Sequence, residues 1–196
     1  MGNGQILFFI MKMIIHWENG KEGGVMKVHE LVTIGETMVS LASRVHIGLQ
    51  YGPSLDMHIA GAESNTAIGL SKLGHSATFI TRLGKDSLGQ FILRMIRAEG
   101  VDTSYVKIDP EYPTGIMFKE ALANNKTAVH YYRENSAATR LNISDIPKET
   151  ITKAKIVHIS GITPVLSQSC QQMVFDVMDL ARSSSCAISF DPNIRE

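Results

Sequence analysis

The chain's 196 residues are enough for one domain or most of one, and 44% hydrophobic content is ample for a packed core. Nineteen Lys and Arg balance nineteen Asp and Glu, so the basic excess of a nucleic-acid-binding surface is absent. Cys170 and Cys186 have neither metal-ligand spacing nor a disulfide framework, and reduced thiols in a cytoplasmic protein are the expected state.

The first segment, residues 6–15 (ILFFIMKMII), is apolar but broken by Lys12 and too short to span a bilayer. No positive charge precedes it and no small-residue cleavage site follows it, which argues against a secretory signal. Gly2 lacks the Ser or Thr that a myristoylation motif needs. A membrane-surface helix is the lesser alternative. Residues 21–24 can be encoded by a purine-rich stretch resembling a bacterial ribosome-binding site, with Met26 at a suitable distance. The expectation is that Met26 is the true start, residues 1–25 are a non-native leader, and the protein has no membrane partner.

From Met26 onward, strands and helices alternate. Residues 30–36 read as a strand running into Gly35, and 55–59 as a second, exposed strand. The spacing predicts a helix over 63–73 with Ala67, Leu70 and Leu73 on one face, stopped by Gly74. Residues 77–80 form the next strand, ending at Leu83 and Gly84. A helix follows over 87–99, turning Leu88, Phe91, Ile92, Met95 and Ile96 inward, and Gly100 ends it. Residues 114–122 and 127–133 are β-rich and joined by a hairpin-like connection, which does not belong inside a doubly wound layer. Alternation resumes with a strand over 155–160, a helix over 167–182 and a strand over 186–190. The expected fold is α/β: a doubly wound parallel sheet with helices on both faces. A small β lid with strands around 39–60 and 114–133 is added to it, and the chain ends where a covering helix should follow.

Four constellations could carry chemistry. Small residues around Gly61 and Ala62 run into a helix start with Glu63, Ser64 and Asn65, where free N–H groups favour polar or anionic ligands. Taken alone, a plain helix start capped by Ser64 or Asn65 is the stronger reading. Arg82 to Gly89 make a glycine-led corner in which Asp86 fits an N-cap. Tyr131, Tyr132 and Arg133 suit a sugar acid, a ring covering the apolar face and the guanidinium taking a carboxylate, although a solvated hairpin edge would read the same way. Asp191, Asn193 and Arg195 follow the last strand at alternate positions, which in extended chain points them one way at the strand's carboxyl end, where open α/β sheets bind ligands. The seven histidines form no metal pattern, the ten methionines read as core filler, and no metal site is expected.

In this order the pieces resemble the ribokinase-like (PfkB) carbohydrate kinases over Val28–Glu196, and within them most the 2-keto-3-deoxygluconate kinases. The motifs that carry the resemblance are Gly-Ala-Glu-x-Asn at 61–65, Tyr-Tyr-Arg at 131–133 followed by Ser136-Ala137, and Ser-Gly-Ile-Thr-Pro at 160–164. The resemblance implies an ATP- and Mg²⁺-dependent kinase acting on the substrate's 6-hydroxyl. Residues 61–65 would bind the sugar at the base of a cleft. Met117, Tyr131, Tyr132 and Arg133 would reach it from the lid, Arg133 toward the carboxylate, and Ile162 would line the pocket. Asn193 and Arg195 would lie between substrate and nucleotide, with Arg195 contacting both. A homodimer through the lid would suit the hairpin.

Ala60 departs from a glycine found in many relatives, and Met117 from a lid tyrosine found in some. The resemblance covers the first half to two-thirds of the family's length, and its catalytic Asp in a Gly-Ala-Gly-Asp segment has no counterpart in these 196 residues. Asp86 and Asp191 do not replace it, since neither begins a glycine-rich helix. The alternatives are a fructokinase- or ribokinase-type enzyme for a neutral sugar, or a truncated, non-catalytic fragment; residues 1–196 alone are expected to be inactive.

Overall fold

Residues 31–34 alternate two packed faces in one short strand: Val32 and Ile34 join one apolar cluster and Leu31 the other, all fully buried. A strand apolar on both sides belongs in the middle of a parallel sheet. The computed structural model, which describes residues 29–122 and 126–194, places it there. The leader expected at 1–25 and Arg195 lie outside the described residues. Strand β1 (His29–Ile34) is flanked by β4 (Ala77–Ile80) and β9 (Ala154–Ser160), and β10 (Ala187–Asp191) extends the sheet beyond β9. All three pairings are parallel, with Val32 opposite both Thr78 and Val157.

Helices cover both faces, as doubly wound folds require. On one side α1 (Ala62–Lys72) and α2 (Ser87–Ala98) bury Ala67, Leu70, Ile92 and Ile96 against Leu31 and Phe79. On the other, α3 (Lys148–Thr152) and α4 (Gln168–Ser183) bury Ile151, Cys170, Met173, Val174 and Val177 against Val32, Ile34 and Val157. Truncating one such fully buried aliphatic side chain to Ala typically costs about 2–5 kcal/mol, so these clusters hold the layers together.

Helix ends follow the expected chemistry with one correction. Gly74 takes φ +88° after α1, and N–H groups of Gly74 and His75 return to the carbonyls of Ser71 and Leu70. That is a Schellman closure, natural to a glycine. Leu73, expected on the inner face, is 47% exposed, because the helix ends at Lys72 and the next residue no longer follows its period. Asp86 caps α2, accepting from Gly89 N at 2.7 Å. It also accepts from the backbone N–H and hydroxyl of Thr114 at 2.8 and 2.9 Å, which ties the corner to the root of the next β segment.

The β-rich middle forms a sheet of its own. Strands β2 (Met38–Ser43), β3 (Leu55–Ala60), β7 (Ile116–Ala121) and β8 (Thr127–Tyr132) lie in the order β3-β2-β7-β8. The β2–β3 and β7–β8 pairs are antiparallel and β2–β7 is parallel. A third, two-stranded parallel pair, β5 (Arg82–Gly84) with β6 (Lys107–Asp109), breaks the single strand expected over 77–84. Arg82 fixes this pair, reaching Asp145 at 2.7 and 3.0 Å and Asp109 at 3.3 Å.

His158 sits fully inside, 1% exposed on β9, with Nδ1 3.0 Å from the Ser189 hydroxyl. Burial lowers its pKa from 6.5 to about 4, against a smaller opposing pull from Asp191. A lowered histidine pKa means the folded state binds fewer protons than the unfolded state as pH falls through this window. Its contribution to stability is therefore complete above pH 6.5 and lost as pH falls toward 4, by up to about 3 kcal/mol. Urea denaturation across that range is expected to show a shallower pH dependence for His158→Gln than for wild type; parallel curves would contradict the assignment.

Candidate functional site

The chain crosses between the two main sheets at four places: residues 35–37, 61, 115 and 133–136. Two carboxylates are buried at these crossings. Glu36, 2% exposed, forms an ion pair with Arg133, Oε2 to Nη2 at 2.6 Å, and its Oε1 accepts from the Ser136 hydroxyl at 3.2 Å. The contact with Arg133 is a close charge pairing rather than an aligned hydrogen bond. Burial raises the Glu36 pKa; Arg133 and Ser136 pull it down, and Glu63 pushes it further up.

Glu63, 1% exposed in the first turn of α1, accepts from Ser160 N at 3.0 Å, Ser160 Oγ at 2.8 Å and Thr163 Oγ1 at 2.6 Å. Burial raises its pKa too, and these hydrogen bonds, with one from its own backbone N–H, oppose the rise. The geometry explains two glycines. A Cβ on Gly35 would lie 2.3 Å from the Glu63 carboxyl carbon, and one on Gly61 would lie 2.5 Å from the Glu36 carbonyl oxygen. Gly61 has extended backbone, so close approach, not an unusual dihedral, demands glycine there.

The remaining candidates separate. Ser64 is buried, donating to Gly61 O and Thr37 Oγ1, both at 3.2 Å. No side chain caps α1, contrary to the expected Ser64 or Asn65 cap. Ala62 is half-buried, and Asn65 is exposed on the first turn. On β7, Met117 is buried between Ser40 and Tyr131. Arg133 lies over the Tyr131 ring, 5.5 Å from its centroid, whereas Tyr132 points to the other side of β8 and meets Phe118 edge-on.

Arg133 and Ile162, named from distant stretches of sequence, line one cleft of about 470 Å³ together with Thr139, Arg140, Leu166 and Ser167. Residues 61–65 do not line it; Glu63 reaches its wall only through Thr163, next to Ile162.

The period-2 alignment after β10 does not hold. Pro192 follows the strand, and Asn193 turns to φ +51° with its N–H on Asp191 Oδ1 at 2.9 Å. This is an Asx turn, in which the Asp191 side chain holds the backbone two residues on. Arg195 lies outside the described residues.

Among the described residues no group of three or more His, Cys, Asp and Glu could hold a metal ion. No helix among them is long and apolar enough to cross a membrane.

The family model described as pfkB family carbohydrate kinase matches residues 28–196. The chain belongs to that family. It is 38% identical over 167 residues to the 2-dehydro-3-deoxygluconokinase of Bacillus subtilis, which covers 85% of this chain and 52% of that one. The crystal structure of 2-dehydro-3-deoxygluconokinase from Thermotoga maritima is similar at TM-score 0.80 and 31% identity, covering 85% of this chain and 52% of that one. That of an uncharacterised sugar kinase from Pyrococcus horikoshii in complex with ATP is similar at TM-score 0.76 and 27% identity, covering 84% and 53%. The chain thus spans about half the length of these relatives.

Within this pfkB chain, two of the recognised motifs meet through Glu63: Gly-Ala-Glu-x-Asn supplies the carboxylate, and Ser-Gly-Ile-Thr-Pro supplies Ser160 and Thr163. Sequence reasoning missed Glu36 and Arg140. Glu36 carried a legible sign, a charge placed directly after the glycine that ends β1; Arg140 carried none.

Glu63→Ala removes the acceptor for three buried donors and is expected to lose about 3 kcal/mol or more in urea denaturation. Asn65→Ala, on the exposed side of the same turn, is expected to stay within about 0.5 kcal/mol of wild type. A Glu63→Ala variant as stable as Asn65→Ala would contradict this division.

Proposed function

We propose that this chain forms the sugar-binding part of an ATP-dependent kinase that phosphorylates the 6-hydroxyl of 2-keto-3-deoxygluconate, also called 2-dehydro-3-deoxygluconate. The observation that carries the reading is the meeting of Arg133 and Ile162 in one cleft beside the second sheet. A guanidinium stacked near a tyrosine offers an acid sugar both a fork for its carboxylate and a ring for its carbon face. The identity to the Bacillus subtilis enzyme supports the same substrate.

ATP with Mg²⁺ would supply the phosphoryl group, and the Pyrococcus horikoshii complex supports that choice of donor. The part of Arg133 and Ile162 would be binding and orientation. Asn193 and Arg195 would lie toward the nucleotide. Tyr131 and Arg133 sit at one end of the second sheet, so closure of that sheet as a lid would exclude water while ordering the acid. A cytoplasmic setting suits the reduced state expected of Cys170 and Cys186. Pairing of two lids would cover the exposed Met57 and Tyr132, which share a face of that sheet.

A second reading, a kinase of a neutral sugar such as fructose, is favoured by Met117, a buried thioether on the lid strand with no polar group to offer. Arg133 separates the two. Binding of 2-keto-3-deoxygluconate and of fructose is to be measured by calorimetry on wild type and Arg133→Ala. The substitution is expected to weaken the acid at least about tenfold and to leave fructose nearly unchanged. Equal losses on both sugars would remove the acid-sugar assignment.

A further inference from the structure

The two arginines of the cleft are not equivalent. Arg133 already has a counter-ion, since Glu36 Oε2 lies 2.6 Å from its Nη2. An incoming anion must share that guanidinium with a buried carboxylate. Arg140, at the end of the 3-10 turn Ala137–Arg140, is in no ion pair among the described residues. Its guanidinium stacks on the Tyr112 ring, 4.1 Å from the centroid, and its Nη2 donates to Asn135 Oδ1 at 3.3 Å. Its Nε–H is buried and has no acceptor. A positive charge held in place, half out of water, with an unused donor and no counter-ion, is an incomplete interaction. The other carboxylate at the cleft, Glu134, is exposed on the rim, where solvent screens it.

We infer that Arg140 is a second anion-recognising residue of the cleft, beside Arg133, and strengthens its preference for an acidic over a neutral sugar. The inference rests on the preceding reading, that this cleft holds the sugar, and deepens it by giving Arg140 a share of the discrimination. The stack on Tyr112 covers a face of the guanidinium and burial closes off Nε, which leaves the Nη1–Nη2 end, where two parallel N–H bonds to a carboxylate can form. Tyr112 precedes β7 and Arg140 follows β8, so both roots of the β7–β8 hairpin meet at this stack. A carboxylate bound there would give the Arg140 charge a counter-ion and tighten the contact across those roots. The same fork would accept a phosphate oxygen, so the shared chemistry is a planar or tetrahedral oxyanion, and the choice of probes separates the two sources.

The test is calorimetric titration of the whole 196-residue chain with 2-keto-3-deoxygluconate, fructose and inorganic phosphate. Wild type, Arg140→Gln, Arg140→Lys and Arg133→Ala are compared, with far-UV circular dichroism as the check on folding. Arg140→Gln keeps a side chain able to reach Asn135 but drops the charge. It is expected to weaken the acid sugar at least tenfold while fructose stays within twofold. Arg140→Lys, which keeps the charge but not the planar fork, should fall between wild type and Arg140→Gln. Unchanged acid affinity in Arg140→Gln, with Arg133→Ala still weakened, would overturn the role of Arg140 and leave the acid-sugar reading intact. Equal loss on fructose would reduce Arg140 to a structural residue. Loss confined to phosphate would assign the fork to a phosphoryl group and overturn the sugar-acid claim. Wild type that takes acid and fructose equally, with a flat Arg133→Ala series, would overturn both readings together.

Discussion

The ion pair between Glu36 and Arg133 is the contact on which the site depends. Glu36 follows the central strand, and Arg133 follows the last strand of the second sheet. One pairing therefore joins core to lid at the point where both sheets feed the cleft. Taking two charges out of water is costly, and a buried pair adds little net stability compared with apolar residues of similar size. Removing one partner is another matter, because it leaves the other charge buried and alone. The pair is best read as a device that fixes position. Burial outweighs Arg133 in setting the Glu36 proton affinity, and the nearby Glu63 adds to the same side. Two carboxylates share this region with one paired arginine, and Glu63 is stabilised by Ser160 and Thr163 instead of by a cation.

That arrangement gives the family motifs a physical meaning. Gly35 and Gly61 are glycines because buried acids and their backbones lie where a Cβ would be. Glu63, read from sequence among sugar-contacting residues, turns its carboxylate inward and stitches α1 to the end of β9. The cleft wall at Ile162 is set by this stitch, since Thr163 is one of its donors. A change at Glu63 would reach the cleft through that wall.

Much of the fold was legible. Apolar runs gave β1, β4, β9 and β10, with glycine closing β1 and β9, and periodic faces gave α1, α2 and α4, because the parallel core imposes strong patterns on its residues. The separate β sheet was legible from a hairpin that could not sit inside a doubly wound layer. The three-residue strands β5 and β6 were not, because so few residues show no period, and they are fixed by Arg82 reaching Asp109 and Asp145 far along the chain. The site was legible in part: Arg133 and Ile162 converge on the cleft, while Tyr132 faces the other way by strand alternation. The alternation read after β10 failed because an Asx turn replaces extended backbone at Asn193. Glu36 and Arg140 escaped notice because their importance comes from what burial leaves beside them, which spacing along the chain does not encode.

A double-mutant cycle on Glu36→Gln and Arg133→Met, read by urea denaturation, tests the role of the ion pair most directly. The two single losses together are expected to exceed the loss of the double variant by a coupling of about 0.5–3 kcal/mol, the range for residues in direct contact. A coupling near zero would show that the lid root is held by something other than Glu36 and Arg133.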